Sequence, residues 1–159
     1  MNLGPVCVAA LLEWREKSIA AEIAAAVAAA GAQNGKNAAA AVMEGSMDRL
    51  VQLGWASVDA SSYKIFLEEV ESAPVAWRST LRTLALLYGL SRVETGLACY
   101  LAGGALPGAA VGPLRVKVNA LCAELAGNGA KTALALCDGF GIPEHLLQAP
   151  IALKDWRSI

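Results

Sequence analysis

Asp138, Glu144 and His145 stand close together near the end of the chain, and His145 is its only histidine. A carboxylate beside an imidazole is the pairing that general acid–base catalysis uses. The structural reading of the same residues is stronger. Glu144 follows Pro143 in the first turn of a short helix, where the positive helix N-terminus favours a carboxylate. Asp138 falls near a helix end, and His145 reads as exposed or hydrogen-bonded. Cys7, Cys99, Cys122 and Cys137 are widely spaced and form no Cys-x-x-Cys pair, so zinc is a poor reading. They read as small hydrophobic core positions in a reducing compartment. No residue is therefore expected to be catalytic, cofactor-binding or metal-binding in this chain.

The elements that would hold these residues are helical. Pro5 suits a first helical turn and Gly31 a stop, with Leu12, Ile19, Ile23 and Val27 forming one stripe between them. Glu13 and Lys17 make a favourable i,i+4 pair, and residues 20–30 are nearly free of large side chains. After a loop with Asn37 as N-cap, a second helix is predicted over 38–71, kinked where Gly45 and Gly54 weaken it. Its stripe is read as Met43, Met47, Leu50, Gly54, Val58, Ile65, Phe66 and Val70. Ser72 caps a third helix, with Pro74 near its first turn and Trp77, Leu81, Leu84, Tyr88, Leu97 and Leu101 inward, until Gly103-Gly104 ends it. A fourth runs from Pro113 through Leu125 with Leu114, Val118, Leu121, Cys122 and Leu125 inward. A fifth covers residues 130–139. Gly139 and Gly141 close it, Pro143 starts a turn, and Pro150 releases an extended tail. The expectation is an all-α, up-down bundle of about five helices, one domain over 1–152 with a tail at 153–159.

Bulk properties exclude several classes. The 159 residues suit one domain, 56% apolar and 17% charged, with a net charge of −1 that gives no argument for nucleic acid or an anionic membrane. Mean hydropathy is +0.46. The longest uncharged run, 97–114, contains Gly103-Gly104, Pro107-Gly108 and Gly112-Pro113, and so reads as a helix end and loop rather than a span. A lipid-surface helix is a poor reading because the polar faces lack Lys/Arg clusters. Residues 1–5 lack the basic region of a secretory signal, and Arg157-Ser158-Ile159 does not fit a Ser-Lys-Leu peroxisomal address, so no targeting signal is visible. Trp77 reads as core and Trp156 as a tail anchor, whereas Trp14 and Trp55 lie beside the stripes and could mark a docking surface. Arg92 and Glu94 read as a solvated face, with an interdomain or dimer contact as the alternative.

Three segments resemble the last domain of the acyl-CoA oxidases. Leu87-Tyr88-Gly89-Leu90-Ser91-Arg92-Val93-Glu94, then Cys99-Tyr100-Leu101 and Gly104, is similar to that family's L-Y-x-L-x-x-I-E helix and the aromatic pair after it. Val118-Asn119-Ala120-Leu121-Cys122-Ala123-Glu124-Leu125 is similar to its V-x-x-L-C-x-E-L. Residues 138–152 resemble its closing signature, and order and spacing agree over 81–152. Two departures stand out. Cys99 occupies a usual Trp position, so a void or repacking is expected, and residues 127–131 replace a compact Arg-Pro-type turn.

The resemblance implies a place in fatty-acid β-oxidation. In that family an α-proton is removed from acyl-CoA, a β-hydride passes to FAD, and oxygen reoxidises the flavin with release of hydrogen peroxide. The base is a glutamate in the preceding helical domain, and FAD lies between that domain and a β-barrel. None of those parts has room here, so the chain alone is expected to be colourless and inactive. Its implied role is packing and enclosure of the dimer and substrate site. The implied partners are the missing catalytic domains or a homodimer partner, and the implied compartment is the peroxisome, with the cytoplasm as alternative. A stand-alone helical interaction module is the rival reading, and an in-frame oxidase continuation upstream of the Met1 codon would separate the two.

Overall fold

The computed structural model describes residues 3–34 (backbone alone for 32–34), 40, 45–127, 131–143 and 146. Six α-helices dominate them, and no strand occurs among the described residues: α1 Pro5–Asn34, α2 Met47–Ser72, α3 Val75–Thr95, α4 Leu97–Ala102, α5 Val111–Ala126 and α6 Lys131–Asp138. A 3₁₀ turn, Gly108–Ala110, leads into α5. The all-α expectation holds. The chain divides into two compact units, Met1–Leu121 and Cys122–Ile159.

In the first unit α1, α2 and α3 pack against one another pairwise. Only Ala73 and Pro74 separate α2 from α3, so α3 must fold back along α2. Arg82 clasps Glu71 across this turn at 2.8 and 3.0 Å, and Arg78 donates to the Ala73 carbonyl at 2.9 Å. The core joins Val8, Leu11 and Leu12 of α1, Tyr63 of α2, Leu90 and Val93 of α3, Tyr100 of α4, and Leu106 and Leu114 beyond it. Each large apolar side chain so buried contributes about 1.5–3 kcal/mol. α1 and α2 both press on α3 at Gly89, where a Cβ would lie 2.5 Å from Val8 Cγ1 and 2.6 Å from Tyr63 Cε2.

Helix ends differ from the sequence expectation in physical detail. α1 runs through Gly31 to Asn34, because one helical glycine costs only about 1 kcal/mol. The Asn37 cap lies outside the described residues. Ser46 interrupts the predicted second helix with φ −138°, and its carbonyl accepts from Arg49 and Leu50. Ser72 does not cap α3. Its hydroxyl turns back to the Glu69 carbonyl at 2.9 Å, and Pro74 holds the N-cap position. The predicted third helix is two helices, broken at the buried Gly96 between α3 and α4. α4 ends as expected: Gly104 adopts φ +70°, its N–H donates to Leu101 and the Ala105 N–H to Tyr100, which satisfies the terminal carbonyls.

Two predicted stripes hold only in part: Val70 is buried and Tyr88 and Leu97 pack against the core as expected. On α2 the buried positions are Ala56, Asp59, Tyr63 and Val70, whereas Met47, Gly54, Val58 and Ile65 are exposed. On α3 they are Ala85, Gly89, Leu90 and Val93, and Trp77, expected in the core, is exposed. Ala56, Ala85 and Gly89 stand beside Tyr63 and Leu90 on these contact faces, so hydrophobic size alone does not mark them. On α1 Leu12 and Ile19 are buried as expected, joined by Val8 and Leu11. On α5 Leu114 and Leu121 are buried.

In the second unit Leu125 is buried, whereas Cys122 is exposed, against expectation. α6 buries no residue, and Cys137 is exposed as well, so the core reading of the cysteines fails for these two. Gly139 and Gly141 close α6, Gly141 at φ +62° with its N–H on the Asp138 carbonyl.

Candidate functional site

A cleft of about 530 Å³ opens in the first unit along α1, the start of α2, and α4. Trp14, Arg15 and Glu22 reach it from α1, Arg49 from α2, and Cys99 and Gly103 from α4. The periodicity of α1 places Arg15 one turn below Ile19 on the inward face, and burial of a cation there requires a partner. Asp59 supplies it: Arg15 Nη1 lies 3.2 Å from Asp59 Oδ2, with both side chains almost wholly enclosed. Arg49 is engaged by Glu22 at 2.7 Å and by Gln52 at 2.9 Å. The charges within the cleft thus cancel among themselves.

Two phenols lie deep in the same unit. The Tyr63 and Tyr100 hydroxyls are buried without hydrogen-bond partners among the described residues. Burial pushes Tyr63 up to about 12. Burial likewise pushes Tyr100 up to about 12; Arg15 opposes the shift, while Cys99 and Asp59 add to it. Outside the cleft, the hydrogen bond from Arg82 holds Glu71 below its ordinary range.

Cys99, where the absence of a large side chain leads to the expectation of a void or repacking, is half-buried and lines the cleft. The Trp14 indole lies directly over the Gly103 Cα, leaving no room for a Cβ there. Its ring stands 5.9 Å from that of Tyr100. Trp14 therefore packs against α4 while half-buried, whereas Trp55 is 63% exposed.

The remaining sequence candidates are not brought together. Asp138 is exposed at the end of α6, and Glu144, His145 and Trp156 lie outside the described residues. Arg92 stacks 5.8 Å from the Tyr88 ring, and Glu94 pairs instead with Arg115 at 3.2 Å. The Arg15–Asp59 pair was missed because an aspartate in a helix reads as solvated. Its signal was the spacing Ala56, Asp59, Tyr63, facing an arginine on the inward stripe of α1.

This donor set can orient side chains. Among the described residues no group of three His, Cys, Asp or Glu side chains could hold a metal. Both cleft guanidiniums are engaged by side chains of this chain, Arg15 by Asp59 and Arg49 by Glu22. No described helix is long and apolar enough to cross a membrane.

No curated protein and no solved structure matches the chain. The family model for acyl-CoA oxidase matches residues 5–156. With its helical make-up and the signatures at 87–104, 118–125 and 138–152, the chain belongs to the acyl-CoA oxidase family.

Proposed function

We propose that this chain acts as the C-terminal helical domain of an acyl-CoA oxidase, 1–152 with a tail at 153–159. The complete enzyme converts acyl-CoA to trans-2-enoyl-CoA, passes the hydride to FAD and forms hydrogen peroxide, in the peroxisome. The chain supplies packing and enclosure of the substrate site. The flavin and the catalytic base come from the domains that precede it in the family. Alone it is colourless and inactive.

One observation supports the docking part of this role. Ala21, Ala24, Ala25 and Ala28 recur at i, i+3, i+4 and i+7 on α1 and are all exposed. A face of methyl groups lets another helix approach closely and has no polar group to desolvate. Co-expression with a flavin-bearing acyl-CoA oxidase segment that lacks its own last domain tests the reading. The expected result is a coloured complex that forms peroxide from acyl-CoA, and loss of that complex in an Ala24→Glu, Ala28→Glu variant. A variant that assembles like the parent, or a parent that forms no complex, overturns it.

A further inference from the structure

The cleft of the first unit carries a dipole rather than a net charge. Arg15 and Asp59 form its deep pair and are almost wholly enclosed, so neither can turn to a ligand without stranding the other. Arg49 and Glu22 form the pair at its mouth, where both side chains are close to half exposed. The two cations and two anions cancel, which leaves no field to draw in a simple anion or a simple cation. The mouth pair, however, keeps unused hydrogen-bonding capacity. Its closest contact joins Arg49 Nη2 to one carboxylate oxygen of Glu22 at 2.7 Å, and Arg49 Nη1 goes to Gln52 at 2.9 Å. A guanidinium has five N–H donors and a carboxylate about four acceptor sites. A molecule bearing both charges can therefore lie alongside, carboxylate on Arg49 and ammonium on Glu22, without breaking the existing contact. The four groups then alternate in sign around a ring.

The rest of the wall suits an apolar body. Trp14 and Ile19 of α1 and Ala98 and Ala102 of α4 line the same space. Trp14, Ser18 and Glu22 stand at i, i+4 and i+8 on α1, so about 12 Å of helix runs from the charged end to the indole. At about 530 Å³ the cleft falls within the range of roughly 300–1,000 Å³ for small-molecule sites, which pair apolar walls with a few placed polar groups. We propose that this cleft binds a free α-amino acid with a large apolar side chain. Its ammonium lies on Glu22, its carboxylate on Arg49, and its side chain points towards Trp14. The site shares no residue with the alanine face of α1 on which docking rests, so either reading can fail without the other.

The test is a titration of the chain with L-phenylalanine, followed by the NMR shift of the Trp14 indole N–H and assigned from a Trp14→Phe variant. A saturable shift at low-millimolar concentration is expected. N-acetyl-L-phenylalanine lacks the cation and L-phenylalaninamide lacks the anion, and each should bind about tenfold more weakly. Glu22→Gln and Arg49→Gln should weaken binding of the free amino acid by a similar factor. Their helical circular dichroism should stay unchanged, since so exposed a pair contributes little to stability. Lys17→Ala, which opens the exposed pair with Glu13, should bind like the parent. Absence of a saturable shift overturns the proposal. So does parental affinity in Glu22→Gln or Arg49→Gln, equal binding of either capped derivative, or an equal loss in Lys17→Ala.

Discussion

Replacing Gly89 by alanine should destabilise the first unit, although helix propensity alone says the reverse. Alanine is favoured over glycine by about 1 kcal/mol in a helix interior. The new methyl, however, would stand 2.5 Å from Val8 Cγ1 and 2.6 Å from Tyr63 Cε2, about 1 Å inside the ordinary carbon–carbon separation of 3.5–4.0 Å. Val8 and Tyr63 are both at 0% exposure, so neither can swing towards solvent. Three helices must then part together, which places the cost in the upper half of the roughly 1–3 kcal/mol range for overpacked cores. Net of propensity, the loss is about 1–2 kcal/mol, a fall in Tm of roughly 2–8 °C for a chain of this size. Gly54→Ala supplies the opposite sign: nothing lies within 4 Å of its Cβ, so stability should rise by about 1 kcal/mol. Both are measured by urea and thermal unfolding in dilute protein, where self-association does not enter. In a Val8→Ala background the penalty at Gly89 should shrink. If Gly89→Ala proves as stable as the parent, the close approach assigned to this junction is wrong.

Asp59→Asn should cost about 3 kcal/mol, since it leaves the Arg15 guanidinium enclosed without its counter-charge, whereas Lys17→Ala at an exposed pair should shift the urea midpoint hardly at all. A midpoint for Asp59→Asn within experimental error of the parent would show the pair to be solvated. Alkali should unfold the chain through two tyrosines. Their folded values near 12 lie above the ordinary 10, so the unfolded state releases its phenolic protons first. Stability is full below pH 10 and falls by up to about 1.4 kcal/mol per pH unit for each phenol between 10 and 12. Tyrosine absorbance should show two phenols ionising only as helical signal is lost; full ionisation with native circular dichroism would contradict this. Gly104→Ala should cost about 1–2 kcal/mol through its positive φ alone, because the space at its Cβ is open. An unchanged Tm would mean that the turn can relax.

Much of the fold was legible because its signals are local. Gly103-Gly104 and Gly139 to Gly141 end helices by their own backbone preference, and the periodicity of α1 picked out Leu12 and Ile19 correctly. What escaped depends on partners. Hydrophobic size chose Met47, Val58 and Ile65 as the buried face of α2, but the contact face is set by how near another helix can come. That criterion favours Ala56, Ala85 and Gly89, which carry almost no hydrophobic signal. Asp59 escaped for the same reason: its burial is intelligible only once Arg15 stands opposite.

The same contrast governs where function can reside. Inside the first unit the ionic groups satisfy one another, Arg15 with Asp59 and Arg49 with Glu22, and the space beside Cys99 is shared with an indole that already packs on Gly103. In that cleft each guanidinium already has an internal partner. The outer faces have no such competition. The methyl face of α1 and the exposed Met47, Val58 and Ile65 of α2 present apolar surface that folding has left against water, and covering it releases free energy without breaking an ion pair. Those outer faces are the ones on which the proposed docking role rests.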